Sequence, residues 1–372
     1  MPLTPINQLR AALRQAHPEL EQVRAAAGDT PVYLVGGAVR DLLLGRGRAD
    51  IDLVVIGDAS ALATRLGPVE TVEHERFSTA KTRIDGHEVD IATARSESYA
   101  HPGALPEVEA ADSIEADLGR RDFTINSMAL SLSGQPELID PHGGRADLDA
   151  RLLRVLHPRS FADDPTRAIR AARYAARFAF APEPDTAALL REARLETVST
   201  DRSEAELLRL AAEEDAPRGF ELLDAWGLVE LRPNGVALAS RVADLLAAPP
   251  WRGTVPRDRA LFAAALGPQA GEGRLAVAQP QRPSQAVELV RGADPVELVL
   301  GRALGAKWLD RYLGEWREVE LEIDGEDLLA AGVPEGPAVG RGLAVALRRK
   351  LDGEVRGREE ELRVALAAAE EA

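Results

Sequence analysis

Two aspartates separated by one residue, Asp50-Ile51-Asp52, are the first group in this 372-residue sequence whose types and spacing suit a reactive centre. They open an apolar run, residues 51–56, that reads as a strand. Side chains alternate across a strand, so both carboxylates share one face and Ile51 takes the other. Carboxylates roughly 6–7 Å apart along a strand suit hard divalent cations. The arrangement they support is a pair of Mg²⁺ ions about 3.5–4 Å apart, clamping attacking and leaving oxygens. In a chain with 61 acidic residues, Asp-x-Asp alone is equally a surface loop. Asp90, in Glu88-Val89-Asp90-Ile91, is a candidate third carboxylate on a neighbouring strand, or simply a strand-end acid.

Three further groups suit phosphate. In Leu34-Val35-Gly36-Gly37-Ala38-Val39-Arg40-Asp41 a strand ends in two glycines and a helix begins. Glycines let a phosphate approach the backbone, and free N–H groups at a helix start favour an anion. Arg40 would reach a phosphate oxygen from the first turn; the plain alternative is a strand-to-helix turn. Arg120-Arg121-Asp122-Phe123-Thr124-Ile125-Asn126 pairs two arginines with an apolar run that reads as helical. It would fix a triphosphate from one side, or be a basic helix start capped by Asp or Thr. Arginine at a helix N-terminus opposes the macrodipole, which favours the functional reading.

The last group begins at Asp163-Asp164-Pro165 and carries Arg167, Arg170, Arg173 and Arg177. Asp163 or Asp164 can cap, with Pro165 in the first turn. At 100° per residue the four arginines span an arc of about 120°. Ala171, Ala172, Ala175 and Ala176 lie on the opposite side. No acid sits three or four residues along the stripe to pair with it, so the stripe calls for an anion, and phosphate fits.

The elements that would hold these groups form an α/β region followed by a helical one. Residues 5–27 read as one amphipathic helix, 31–35 as a strand, 38–44 as a helix, and 87–92 as a strand that residues 76–84 could pair with. Leu138 and Ile139 add an edge strand. From about residue 161 the pattern is helical. Residues 267–284, rich in Gly, Pro and Gln, read as a linker, and 332–340 as a loop leading into a helix at 341–350.

Composition agrees with a helix-rich α+β protein. Apolar residues make up 45%, mostly Ala, Leu and Val, and aromatics only 4%. With no cysteine, disulfides, thiolate metal sites and a cysteine nucleophile are excluded. The six histidines show no metal-ligand spacing. No signal peptide and no membrane span are expected, so the expected location is cytoplasmic. A net charge of −16 argues against a general polyanion binder, but charge is segregated: residues 151–177 hold seven arginines and two acids, whereas the C-terminal end is acidic.

In this order and spacing the four groups resemble the class II tRNA nucleotidyltransferase and bacterial poly(A) polymerase family. The likeness is close over residues 31–180 and visible to about residue 230. It includes residues 97–117, with Tyr99 and Pro102-Gly103-Ala104-Leu105-Pro106, similar to the family's flexible loop. The resemblance implies a small mixed-sheet head of the polymerase-beta type (residues 1–148), a helical neck with nucleotide-selecting residues (149–230) and a helical body and tail for tRNA (231–372). It implies that Asp50 and Asp52 bind catalytic Mg²⁺, and that Gly36, Gly37, Arg40, Arg120 and Arg121 hold the triphosphate. Asp164 and Arg167 would act as an amino-acid template for CTP and ATP, supported by Arg170 and Arg173. Two departures each shorten a carboxylate by one methylene: Asp201-Arg202, ahead of Glu206, where Glu-Arg is usual, and Asp163-Asp164 where Glu-Asp is usual. The segments around Asp324-Gly325-Glu326 and Arg358-Glu359-Glu360-Glu361 are similar to many family tails.

The expected activity is therefore template-independent addition of CCA, or its terminal part, to the tRNA 3′ end. The alternatives are CC-only or A-only addition, poly(A) synthesis, a non-catalytic RNA-binding scaffold, and a small-molecule nucleotidyltransferase. The acidic tail disfavours poly(A) synthesis, the intact loop disfavours CC-only addition, and the arginine stripe disfavours a small-molecule acceptor. No obligate protein partner is evident.

Overall fold

The computed structural model describes residues 3–46, 50–67, 79–134, 137–268 and 272–371. The chain divides into two compact units, Met1–Asp215 with Leu222–Val229, and Ala216–Glu221 with Glu230–Ala372.

The first unit opens with helices α1 (Leu9–Ala16) and α2 (Leu20–Ala27). One continuous helix was expected here. Pro18 breaks it, because proline disfavours helical geometry in the residue before it, and His17 sits at φ −138°, ψ 67°. Then follow β1 (Val32–Val35), α3 (Gly37–Leu43), β2 (Ile51–Val55), α4 (Ala59–Leu66), β3 (Thr79–Ile84) and β4 (His87–Thr93). Of the expected pairing segment 76–84, residues 76–78 lie outside the described residues. Next come the hairpin strands β5 (Arg95–Ser98) and β6 (Glu107–Ala110), α5 (Ile114–Gly119), β7 (Ala129–Ser131) and the edge strand β8 (Leu138–Ile139).

These strands build a mixed sheet in the order β3-β4-β2-β1-β7-β8. β2 and β4 run parallel, joined across α4, and the other pairs are antiparallel. Ile51, Leu53 and Val55 of β2 and Val89 and Ile91 of β4 are buried with Leu62 and Ala63 of α4. That closes one face of the sheet. On the other face, Ile114 and Leu118 of α5 pack on Val35, Val54 and Ala129.

The run after Arg121 does not form the expected helix. Thr124–Asn126 is a single 3-10 turn and the chain then enters β7. Polar side chains there satisfy groups a helix would otherwise bond: Asp122 Oδ1 accepts from the Phe123 N–H, and Ser127 Oγ donates to the Leu118 carbonyl. β1 offers an open edge that pairs Leu34 with Leu130.

The helical half of this unit follows α6 (Gly144–Ala150) and a two-residue parallel pairing of β9 (Leu152–Leu153) with β10 (Ala181–Pro182). Its helices are α7 (Ser160–Asp163), α8 (Thr166–Phe178), α9 (Pro184–Glu192) and α10 (Thr200–Ala211). The small face of α8 is buried at Ala171, Ala172, Ala175 and Ala176, as its spacing predicts.

The second unit is helical. Helices Gly235–Leu246, Arg257–Leu266 and Pro295–Ala303 pack together. Gly325–Ala330, Pro337–Leu351 and Arg358–Glu370 surround Leu328, Ala346 and Val364. The last two cross at Gly342, where a Cβ would stand 2.5 Å from the Ala365 carbonyl oxygen. Two expectations are corrected. Within 267–284, Glu272–Val277 is helical because Leu275 is buried beside Gly301, while 269–271 lie outside the described residues. The 332–340 loop ends early, since Pro337 is pre-organised for a first helical turn and starts the helix there. Among the described residues no helix is long and apolar enough to cross a membrane.

Candidate active site

Gly36 stands at the end of β1 with φ 64°, in the region that favours glycine. A Cβ there would also lie 2.7 Å from Arg121 Nη1. The turn therefore needs glycine twice over, once for its backbone and once to admit the arginine. Arg40, one turn into α3, is 4% exposed. Its Nη1 donates to Asn126 Oδ1 at 2.6 Å and its Nε to Asp41 Oδ1 at 2.8 Å. Its guanidinium lies 4.5 Å from the Phe178 ring centroid. Arg40 thus lines the cleft with two of its donors already engaged.

Asp50 precedes β2 and Asp52 lies within it; both reach the same cleft. Asp52 is open at the cleft mouth, yet protein surrounds it on the remaining sides. That desolvation pushes its carboxyl up to about 6; Arg121 opposes the shift, and the negative charges of Asp90 and Asp50 add to it. Asp90 pairs with Asp52 in register across the parallel strands β2 and β4. Lys81 of β3 is next in the row and holds Asp90 at 3.0 Å. Among the described residues no cluster of three metal-ligating side chains is already assembled. A Mg²⁺ site of one or two carboxylates completed by substrate phosphates and water does not require one. The donors are all oxygen, and the mutual repulsion of the aspartates is what a hard cation would relieve.

Arg120 and Arg121 are organised by Asp117, a fully buried acid on α5. Its Oδ1 accepts from Arg120 Nη2 at 2.8 Å and its Oδ2 from Arg121 Nη2 at 2.9 Å. Burial alone would raise the Asp117 carboxyl; the two guanidiniums outweigh it and lower it. Arg120 Nη1 also donates to Glu97 Oε1 at 2.8 Å.

The arginine stripe of α8 corrects the expectation that it lacks acidic partners. Its acids come from distant elements. Arg170 bonds Asp122 Oδ2 through Nη2 at 2.6 Å, and lies 3.5 Å from Glu206. Arg173 and Arg177 both reach Glu213, at 3.2 and 3.5 Å. Arg167 is 5% exposed; it donates to Ser160 Oγ at 3.0 Å, to the Arg120 carbonyl at 2.8 Å and to the Tyr99 hydroxyl at 3.4 Å. Asp164 Oδ1 accepts from the Thr166 N–H at the start of α8, at 3.1 Å, and from Arg202 Nη2 at 3.0 Å. Burial would raise Asp122, but Arg170 and Asn126 hold its carboxyl at about 2. The hairpin tip is tied to the helices as well: Gly103 N–H donates to the Ala162 carbonyl at 3.1 Å.

One cleft of about 780 Å³ gathers Gly36, Gly37, Arg40, Asp50, Asp52, Arg120, Arg121, Asp164, Arg167, Arg170 and Arg173. Of the catalytic and nucleotide-binding candidates, Asp90 alone lies outside its lining; it borders an adjoining cavity of about 440 Å³. Asp117, Asn126, Ser160 and Glu213 were not anticipated. For Asp117 the signal was present, since acids three and four residues before Arg120 and Arg121 meet them on one helical face. The other three come together only through tertiary contacts.

The chain resembles known proteins at each level. Residues 32–154 match the model of the poly A polymerase head domain. A CC-adding tRNA nucleotidyltransferase of Deinococcus radiodurans is 37% identical over 93% of this chain and 91% of its own length. An A-adding tRNA nucleotidyltransferase of Geobacter sulfurreducens is 31% identical over 92% of this chain, which spans 46% of that longer protein. Among solved structures, a CCA-adding enzyme in an apo form superposes with a TM-score of 0.80 at 29% identity, covering 99% of both chains. The Thermotoga maritima CCA-adding enzyme complexed with tRNA gives 0.75 at 28%, covering 100% of both. A CCA-adding enzyme with bound ATP gives 0.78 at 28%.

Proposed function

This chain belongs to the tRNA nucleotidyltransferase family, and from that membership we propose that it completes the 3′ end of tRNA with CCA, using CTP and ATP. The observation that carries the reading is the single cleft in which two strand-borne aspartates face a bank of arginines. In the reaction the acceptor 3′-oxygen attacks the α-phosphorus, a P–O bond forms, and the bond to the β-phosphate oxygen breaks to release pyrophosphate.

Family membership points to divalent metal use, and we propose Mg²⁺ held by Asp50 and Asp52, with Asp90 as a third carboxylate. Bound there, it would neutralise charge on the attacking and leaving oxygens. Gly36, Gly37, Arg120 and Arg121 hold the triphosphate, and Arg40 braces the turn. Asp164 offers an acceptor and Arg167 donors to the edge of the incoming base, and Arg170 and Arg173 support that edge. Catalysis is then chiefly positioning and charge stabilisation. Residues 1–148 serve as catalytic head, 149–230 as selecting neck and 231–372 as the part that holds the tRNA. The cytoplasm is the proposed compartment.

A second reading is CC-only addition, favoured by the end-to-end similarity to the Deinococcus radiodurans relative. Incubation with tRNA ending at the discriminator base, at C or at CC, with each nucleotide singly, separates the two. Extension of the CC-ended tRNA by ATP together with CTP incorporation on the shorter tRNAs supports CCA synthesis, and absence of the ATP step beside efficient CTP incorporation supports CC addition. Long A tracts, or no extension of any tRNA, would refute both.

A further inference from the structure

The guanidinium of Arg167 is held at both terminal nitrogens by the protein itself. Nη1 donates to Ser160 Oγ at 3.0 Å. Nη2 donates to the Arg120 carbonyl at 2.8 Å and to the Tyr99 hydroxyl at 3.4 Å. A guanidinium is a planar fork of five N–H donors with no acceptor. Acceptors at both ends of the fork fix its plane. These bonds leave one hydrogen of Nη1 and the Nε–H uncommitted, and the bonds already made set the directions in which those two point.

The two shorter contacts differ in origin. The Arg120 carbonyl lies at the C-terminal end of α5, where carbonyls lack intrahelical partners, and any residue there would supply it. The Ser160 hydroxyl depends on the side chain. Ser160 opens α7, is fully buried and is absent from the lining of the cleft, whereas Tyr99, Asp164, Thr166 and Arg167 all line it. A hydroxyl so placed cannot touch a nucleotide, and it acts through Arg167. The same residue also holds Asp164, because its carbonyl accepts from the Asp164 N–H at 3.2 Å. Its own N–H donates to the His157 carbonyl at 3.1 Å, which anchors the turn.

We propose that Ser160 is a positioning residue for nucleotide choice, its carbonyl fixing Asp164 and its hydroxyl orienting Arg167 so that acceptor and donors meet the base together. This assignment rests on the reading above, in which Asp164 and Arg167 face the incoming base. Arginine only donates. The ring nitrogens N3 of cytosine and N1 of adenine accept, whereas N3–H of uracil and N1–H of guanine donate. A guanidinium held in one plane therefore favours cytosine and adenine, and one free to turn away loses part of that preference.

The test is single-nucleotide addition to tRNA ending at the discriminator base, with CTP and UTP measured separately. Ser160→Ala should lower the CTP-over-UTP ratio of kcat/KM about tenfold, the worth of one hydrogen bond to a charged group. The loss should fall on kcat for CTP, with KM for CTP and for tRNA little changed, because the triphosphate contacts remain. Ser160→Thr and Ser160→Val share a shape and differ in the hydroxyl, and their thermal midpoints report folding. The Thr variant should restore most of the ratio and the Val variant should not. With 3-deaza-CTP, which lacks the ring acceptor, wild type and Ser160→Ala should perform alike. An unchanged ratio in Ser160→Ala, equal ratios in the Thr and Val variants, or an equal loss on 3-deaza-CTP would overturn the role of Ser160 while wild-type CTP incorporation still upheld the activity. Failure of the wild type to extend any tRNA would overturn both.

Discussion

Arg170 on α8 donates through Nε and Nη2 to a single oxygen of Asp122, at 2.8 and 2.6 Å, across a sequence separation of 48 residues. The contact fastens α8 to the turn that follows Arg120 and Arg121. It also gives Asp122 a low pKa, with consequences for stability.

Asp122 titrates near 2 in the folded chain and near 3.9 when unfolded. A depressed carboxyl contributes stability that is present above the unfolded value and is lost as pH falls through the folded one. The contribution is about 2–3 kcal/mol and should vanish between about pH 4 and pH 2. Acid unfolding followed by circular dichroism should therefore be steeper in that window for the wild type than for Asp122→Asn. Identical acid profiles would remove the linkage.

Asp52→Ala should reduce nucleotide incorporation by ~10³-fold or more, in line with loss of a principal electrostatic group. Its thermal midpoint should not fall, because Asp52 crowds other negative charges and makes no ion pair of its own with Lys81. Normal turnover by the folded variant would end the metal assignment.

Arg167→Ala should relax the choice between CTP and ATP more than it weakens triphosphate binding. Arg167 is tied to Ser160 Oγ and the Arg120 carbonyl, and the proposed reading sets it against the incoming base rather than the triphosphate. Removing these bonds should also cost about 1–3 kcal/mol of stability. Competition assays with both nucleotides give the readout, and unchanged fidelity would contradict the templating role.

Gly36→Ala carries two penalties, a positive φ and a Cβ 2.7 Å from Arg121 Nη1. The arginine tip can swing away, so the protein should fold, less stable by about 1–2 kcal/mol. The displaced guanidinium should raise KM for CTP with little change in KM for tRNA. A variant with wild-type CTP affinity would show that Arg121 does not need this approach.

Much of the candidate site was legible because its signals are local. The Asp-x-Asp spacing, the two glycines at a strand end and the arginine period of α8 each depend on a few consecutive residues, and strand or helix geometry converts them directly into faces. The same locality explains the misreadings. Arg170 and Arg173 lack acids within one helical turn, yet Asp122, Glu206 and Glu213 arrive from elsewhere in the chain. The run after Arg121 has helical apolar spacing, yet it yields to side-chain capping and an available edge on β1.

The sequence by itself determined which residues carry charge, which faces they share within one strand or helix, and that an α+β head precedes helices. Those properties follow from backbone periodicity. Only the tertiary structure decided that Asp122, Glu206 and Glu213 would meet the arginines of α8, that Lys81 would stand beside Asp90, and that two cavities would meet at Asp52. Strand order, register and helix docking set those distances, and they are fixed by burial summed over the whole unit rather than by any short stretch of residues.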